Sequence, residues 1–134
     1  MKTAVVYYTL GGSTRSFARA EAGARAADLL EAVPAKPYNP FTALMQGCRQ
    51  RGVPLAQAPD LTGYDRIVLM APVWGGFPAP PFNSMAALLP AGAQVEVLLV
   101  SSSGSSEKSR AKVRALIQGK GCRVVCQRDI HSHQ

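Results

Sequence analysis

The sequence is poor in cysteine and offers no set of metal ligands. Its three cysteines, Cys48, Cys122 and Cys126, are odd in number, and the last two stand four residues apart. That is not the spacing of a zinc or thioredoxin motif. We therefore expect reduced, buried thiols and predict no metal site. We interpret His131 and His133 as an incidental exposed pair.

Long apolar runs are also missing. No stretch approaches the ~20 residues that a membrane-spanning helix needs, and the first residues lack the apolar region and cleavage site of a signal peptide. Hydrophobic residues nevertheless make up 47% of the chain and charged residues 17%, which is typical of a packed globular protein. We predict one domain over residues 1–134, soluble and cytoplasmic, with no membrane partner.

Acidic residues are scarce. There are eight, against 15 lysines and arginines, so the formal net charge is +7. A basic surface suits nucleic acid, an acidic protein or a phosphorylated ligand. No aromatic residues alternate with the C-terminal cations, so we predict no nucleic-acid partner and interpret these cations as a solvated helix flank. They are Lys108, Arg110, Lys112, Arg114, Lys120, Arg123 and Arg128, faced only by Glu107 and Asp129.

The pattern along the chain alternates strands with helices. Strands are predicted at 5–8, 66–71, 95–100 and 122–126, and helices at 15–31, 81–89 and 106–118. Three prolines limit any second strand within 32–40 to a short edge piece. A short helix is expected at 41–51, a loop around Pro54 and Pro59, and a tail at 127–134. Such alternation predicts an α/β fold with a parallel sheet covered on both faces.

Two helices have a recognisable inner face. The first is expected to place Ala18, Ala22, Ala26 and Leu29 against the sheet, and the last Val113, Leu116 and Ile117. Small residues on the first helix let it lie close to the strands.

The loop after the first strand contains no carboxylate. It consists of Thr9, Leu10, Gly11, Gly12, Ser13 and Thr14. In a parallel sheet such loops meet at the carboxyl edge, where ligands bind. Glycines let backbone amides converge, and the start of the next helix favours an anion, so the loop suits a phosphate. It matches neither the Walker nor the dinucleotide pattern, and a glycine turn with a Ser/Thr helix cap stays equally open.

Two further loops are predicted at the same edge. Residues 71–81, APVWGGFPAPP, contain Trp74 and Phe77, which can stack on a flat ring, and prolines that stiffen the loop. Residues 101–106, SSSGSS, offer amides and hydroxyls to a polar ring edge. Each loop also has an ordinary explanation, a buried Trp74 in the first and a helix cap at Ser105 or Ser106 in the second. The convergence of all three loops favours a ligand site.

These segments resemble the flavodoxin-like family of FMN-binding proteins. YTLGGSTR (8–15) is similar to the family's phosphate loop, Tyr-Ser-x-Thr-Gly-Asn-Thr. Thr9 takes the Ser position, Gly12 the Gly and Thr14 the final Thr, while Gly11 and Ser13 replace Thr and Asn. Residues 63–89 resemble the family's Tyr-Asp-x-(apolar strand)-Pro-Val-Trp segment, and 95–117 resemble the strand that enters a Ser/Gly loop. The likeness covers most of the chain except 32–60.

The resemblance implies a flavodoxin-like three-layer sandwich with a five-stranded parallel sheet of order 2-1-3-4-5 and noncovalent FMN. The ring would lie between the second and third loops, and a flexible peptide at Gly75 or Gly76 would meet flavin N5. We predict no separate catalytic residue. The implied cofactor-binding residues are Thr9, Leu10, Gly11, Gly12, Ser13, Thr14, Pro72, Val73, Trp74, Gly75, Gly76, Phe77, Ser101, Ser102, Ser103 and Gly104.

Three functions stay open. Electron transfer through bound FMN ranks first, ahead of an FMN-dependent NAD(P)H:quinone or flavin reductase and of a non-redox binding module on the same fold. Electron-carrying flavodoxins are usually acidic, whereas this chain is basic. The expected partner is therefore an acidic redox protein for the carrier, or NAD(P)H for the enzyme. The chain is expected to be a monomer or a homodimer.

Overall fold

The computed structural model describes residues 2–36, 52–101 and 105–131. The elements of these residues, in chain order, are β1 Thr3–Tyr7, α1 Ser13–Arg25, β2 Asp28–Glu31, β3 Val33–Pro34, β4 Leu55–Gln57, β5 Arg66–Trp74, β6 Phe77–Pro78, α2 Pro81–Ala87, β7 Gln94–Ser101, a 3₁₀ turn Glu107–Ser109, α3 Arg110–Gln118 and β8 Arg123–His131. The main parallel sheet has the order β2-β1-β5-β7-β8. This is order 2-1-3-4-5 when its five parallel strands alone are counted, so the predicted fold is confirmed.

The sheet separates two apolar clusters. Successive side chains of a strand point to opposite faces, and in β1 Ala4 and Val6 belong to one cluster while Val5 and Tyr7 belong to the other. Helix α1 packs on the face of Val5 and Tyr7, and α2 and α3 pack on the opposite face. The helical residues buried in these clusters include Ala18 and Ala22 of α1, Phe82 and Met85 of α2, and Val113 and Ile117 of α3. Helices on both faces give the three layers.

The first helix ends at Arg25 rather than at residue 31. Ala26 adopts a left-handed conformation with φ 51°, which stops the helix. Ala18 and Ala22 are buried as predicted, whereas Ala26 lies past the helix and Leu29 lies in β2, 37% exposed. The spacing of apolar residues after Arg25 fits a helix or a strand, and pairing with β1 selects the strand.

The predicted short edge strand exists, but it precedes the proline-rich segment. Strand β2 pairs with β1 from Ala4↔Asp28 to Tyr7↔Glu31. Strand β3 pairs instead with β4 in an antiparallel ladder, within the stretch predicted to be a loop. The predicted helix at 41–51 and Cys48 lie outside the described residues.

The last strand is longer than predicted. Residues 127–131, expected to be a tail, continue β8 and pair with residues 97–101 of β7. A bulge at Val125 shifts the register, which passes from Val95↔Val124 to Glu96↔Cys126. Four of the five side chains of 127–131 are polar and conceal this strand in the sequence, because at a sheet edge the backbone supplies the pairing.

The predicted loop 71–81 is largely a hairpin. Strand β5 continues to Trp74, and β6 returns antiparallel to it through a two-residue turn. Helix α2 follows at once and ends at Ala87. The last helix begins as a 3₁₀ turn, and its predicted inner residues Val113 and Ile117 are buried while Leu116 is partly buried.

A buried carboxylate joins three elements at the amino end of β5. Glu96 in β7 is 6% exposed. It accepts two hydrogen bonds from Arg25, at 2.7 and 2.9 Å, and one from Arg66 at 2.9 Å. The hydrogen bonds from Arg25 lower the pKa of Glu96, and burial opposes this shift only in part.

Two smaller expectations concern the thiols and the membrane. Cys122 is buried and Cys126 is partly buried, and both are free thiols. Among the described residues, no helix is long and apolar enough to cross a membrane.

Candidate functional site

Strands β1, β5 and β7 end at one edge of the sheet. Tyr7 pairs with Met70, and Pro72 pairs with Val100, so β5 extends beyond the end of β1. The segments after these strands therefore meet at this carboxyl edge, where ligands bind in open α/β sheets. The structure brings the predicted first and second loops together here, together with the flanks of the third.

The first loop leads directly into α1. Gly11 and Gly12 have φ values of 80° and 97°, and a Cβ built on either would meet nothing within 4 Å. The Gly12 N–H donates to Thr9 Oγ1 at 3.1 Å. Because Thr9 Oγ1 accepts this bond, its own proton stays available to a ligand. The glycines thus shape an open concave backbone beside a hydroxyl donor.

The N-terminus of α1 is electrostatically suited to an anion. Gly12 is the N-cap, no side chain caps the helix, and its first turn contains no acidic residue. The first backbone amides of a helix have no intrahelical partner and carry its positive dipole end. Ser13 and Ser16 are exposed and Thr14 is buried, and because Ser16 Oγ points back to Gly12 O at 3.5 Å, Ser13 is the hydroxyl of the first turn with no such contact to the loop. Leu10 packs against the apolar core, which leaves only its backbone for a ligand.

An arginine borders this loop without entering it. Arg15 donates to Glu31 Oε2 at 3.2 Å and to the Tyr7 hydroxyl at 3.4 Å. These bonds raise the pKa of Arg15, so its charge is permanent. Its pairing with Glu31 leaves the helix N-terminus as the local source of positive potential at the loop.

An aromatic contact connects the first loop to the second. The rings of Tyr8 and Trp74 meet edge to face, with centroids 6.0 Å apart and planes at 83°. Tyr8 is buried, while Trp74 is partly exposed and packs on the core cluster. Trp74 therefore packs on the core and also presents part of its side chain to solvent. The sequence had left a buried Trp74 and a ring available to a ligand as alternatives. Val73 also packs on this cluster, and Pro72 is partly exposed.

The hairpin tip is held by the segment that follows the third loop. Gly75 and Gly76 have φ values of 63° and 88°, the positive values of a type I′ turn. Ser109 Oγ lies 2.8 Å from Gly76 O and 3.0 Å from Ser106 O, so its single hydroxyl proton is shared between these two carbonyl acceptors. A Cβ on Gly76 would lie 2.3 Å from Cε of Lys108, whose stem covers this glycine. The Gly75–Gly76 turn is thus positioned by a serine that the sequence did not single out.

Phe77 is partly exposed at the end of the hairpin. Two ammonium groups lie over its ring, Lys108 Nζ at 5.1 Å and Lys112 Nζ at 5.9 Å from the centroid. The sequence showed these lysines one helical turn apart, but only the fold brings them to Phe77.

The third loop is described only at its ends. Ser101 is the buried last residue of β7, and the predicted residues Ser102, Ser103 and Gly104 lie outside the described residues. Beyond them, the Ser106 N–H donates to Asp129 Oδ2 at 3.0 Å and the Ser106 hydroxyl to Asp129 Oδ1. Asp129 anchors the exit of this loop, and the sequence missed it because it assigned residue 129 to a tail.

Together these features suit a ligand with an anionic end and a flat ring. The open, acid-free helix start has the geometry and charge that favour a phosphate. Trp74 and Phe77, one on each side of the glycine turn, are candidates to flank a ring. A cavity of about 480 Å³ lies elsewhere, lined by residues 63–65 and 90–94 at the opposite end of the strands. Its lining offers no comparable combination of helix amides, hydroxyls and an aromatic pair.

Comparisons with known proteins identify the fold. No protein-family model matches the chain, and no curated protein matches it. The flavoprotein from Lactobacillus acidophilus NCFM in complex with FMN is similar in structure, with TM-score 0.75 and 20% identity over 96% of this chain and 92% of that one. An NADH:FMN oxidoreductase in its apo form gives 0.60 and 13% over 99% and 76%. A flavodoxin from Streptococcus pneumonia TIGR4 gives 0.55 and 13% over 98% and 87%. The chain therefore has the flavodoxin-like fold.

Proposed function

We propose that the protein binds FMN noncovalently at the carboxyl edge and transfers electrons through it. The observation that carries the proposal is the open loop of Gly11 and Gly12 at the uncapped N-terminus of α1, connected to the hairpin through Tyr8 and Trp74. A similar fold is known in complex with FMN, which supports the same ligand here.

The residues present fit the two ends of FMN. The phosphate would be held by the amides of residues 11–14 and by the hydroxyls of Thr9 and Ser13, with the helix dipole favouring its charge. The ring would lie beside Trp74 and Phe77, with its polar edge toward the third loop. When bound, FMN supplies the redox chemistry, and the chain contributes position, hydrogen bonds and local charge.

A carrier is favoured over a reductase by the shape of the chain. An enzyme needs room over the ring for a second substrate, and this chain has few insertions to build it. It spans 76% of the NADH:FMN oxidoreductase that it resembles in fold. The alternative, an FMN-dependent NAD(P)H:quinone or flavin reductase, is favoured by Lys108 and Lys112, since two ammonium groups beside the ring site suit a nucleotide phosphate. FMN-dependent oxidation of NADPH by a quinone would select the enzyme.

The remaining parts of the proposal follow from charge and thiols. A net charge of +7 favours an acidic redox partner protein for the carrier. Free Cys122 and Cys126 suit a reducing compartment, which supports a cytoplasmic location. A non-redox binding module predicts instead a colourless protein that takes up no FMN.

The first test is the absorption spectrum of the purified protein after addition of FMN and desalting. We expect retained flavin bands with quenched fluorescence. Gly12→Asp should abolish retention, because the carboxylate would face the phosphate. Gly63→Asp is the matched control, since Gly63 has φ 85°, open space around a Cβ and a position away from this edge. Equal retention by both variants would show that residues 9–14 are not the phosphate site.

A further inference from the structure

The exposed end of the hairpin forms a small basic and aromatic surface. We call Phe77, Lys108 and Lys112 the lysine–phenylalanine cluster. Both ammonium groups lie within 6 Å of the ring centroid. The two lysines are exposed, and the ring is partly exposed. The attraction between an ammonium group and an aromatic face is weak at a solvent-exposed site. The charges of both lysines therefore remain available to an outside partner.

The cations of this region differ in their pairing from four arginines elsewhere in the fold. Arg15, Arg25, Arg66 and Arg128 each lie within 4.0 Å of a carboxylate. Within the described ranges, Lys108, Arg110, Lys112 and Arg114 form no ion pair. Four cations without an ion pair therefore lie together on the 3₁₀ turn and the helix that border the hairpin. Such a local excess steers an acidic molecule toward this end.

The shape of the surface favours a protein over a small molecule. The cavity beside the cluster, lined by Pro78, Asn83, Lys112, Val113 and Leu116, has a volume of about 210 Å³. Small-molecule sites generally measure roughly 300–1,000 Å³. A partly exposed ring beside two exposed cations suits instead the carboxylate-rich surface of a protein, which needs no enclosing pocket.

We propose that the lysine–phenylalanine cluster is the docking point for an acidic redox protein, which it brings to the Gly75–Gly76 turn. This rests on the proposed electron transfer through FMN. In the step that docking serves, one electron leaves the reduced one-electron centre of the partner and is accepted by the bound flavin. No bond is formed or broken, and no group is transferred. The flavin site and the cluster share the hairpin, so docking places the partner beside the ring.

The helix provides a matched control for this surface. Lys108 and Lys112 lie toward Phe77, whereas Arg110 and Arg114 are two residues further along the chain and so on the other flank. The variants Lys108→Gln/Lys112→Gln and Arg110→Gln/Arg114→Gln each remove two positive charges. Long-range attraction by net charge changes equally in both, but contact at the cluster is lost only in the lysine pair.

The probe is a reduced plant-type [2Fe–2S] ferredoxin, an acidic one-electron protein, mixed with the FMN-loaded chain at low ionic strength in a stopped-flow instrument. We expect the second-order rate of flavin reduction to fall about tenfold in the lysine pair and less than about twofold in the arginine pair. The wild-type rate should also fall as salt is added. Equal losses in the two pairs, or no loss in the lysine pair, would overturn the proposal.

A second measurement separates docking from flavin binding. The oxidised probe is added to the ¹⁵N-labelled chain, with and without FMN, and amide shifts are followed. We expect the largest shifts at Phe77, Lys108 and Lys112 in either form. Such shifts in a chain that retains no FMN would support the surface while refuting the proposed function. Flavin retention with shifts confined to another face would refute the surface while leaving the function in place.

Discussion

Replacing Gly76 by alanine should expose two separate costs at the hairpin tip. Gly76 has φ 88°, in the left-handed region that disfavours residues with a Cβ. We expect about 1–2 kcal/mol from this backbone conformation. The new Cβ would also lie 2.3 Å from Lys108 Cε, so the lysine stem must leave. Loss of its contact with Phe77 adds about 0.5–1 kcal/mol, for a total of roughly 2 kcal/mol.

The assay is urea denaturation of four variants, with Gly63→Ala as the control for backbone strain. Gly63 has φ 85° and open space around its Cβ, so its substitution carries the backbone cost alone. In a Lys108→Ala background the steric part of the Gly76→Ala loss should vanish, which leaves a cost equal to that at Gly63. If Gly76→Ala costs the same with and without Lys108, the lysine stem does not pack on the turn and the description of the hairpin is wrong.

Three further predictions concern charge, helix termination and the third loop. Glu96→Gln should destabilise the fold by about 2–3 kcal/mol at neutral pH because two arginines lose their carboxylate. Since the pKa of Glu96 is lowered in the fold, the stability advantage of the wild type over this variant should shrink as pH falls below the ordinary value of 4.5. A stability difference that does not change with pH would contradict this. Ala26→Gly should stabilise the protein by about 0.5–1 kcal/mol in thermal unfolding because residue 26 has φ 51°. The control Ala24→Gly within α1 should cost about 1 kcal/mol of stability. A loss of stability at both positions would argue against the helix end described. Asp129→Asn should weaken the hydrogen bonds that hold Ser106, and the protection of the Ser106 amide in hydrogen exchange should fall about tenfold, roughly 1.4 kcal/mol. Unchanged protection would show that the Asp129–Ser106 pair does not hold the loop exit.

The central strands and the loops at their carboxyl edge could be predicted from the sequence because their signals are local. Strands such as 66–71 are apolar on both faces, which only a sheet covered on both sides accommodates. The first loop was recognisable from its glycines, its hydroxyls and its lack of acid. These features are written in consecutive residues, and they sufficed for the fold and for a hypothesis about the position of the site.

The errors fall where local sequence was ambiguous. After Arg25 the apolar spacing fits a helix or a strand, and an alanine in a left-handed conformation ends the helix where glycine would have been the recognisable signal. Residues 127–131 are polar except for Ile130, yet they pair with β7 because an edge strand needs only backbone partners. In both cases a neighbouring strand decided the conformation.

By itself the sequence determined the fold class, the strand order through its family resemblance, and the three loops that were predicted to converge. Only the tertiary structure decided which side chains surround those loops. Ser109 reaches Gly76 across 33 positions, Asp129 reaches Ser106 across 23, and Tyr8, which follows β1, meets Trp74 at the end of β5. The physical reason is that strand and helix patterns arise from interactions between near neighbours, whereas a site is assembled from residues that only the packing of distant segments brings into contact.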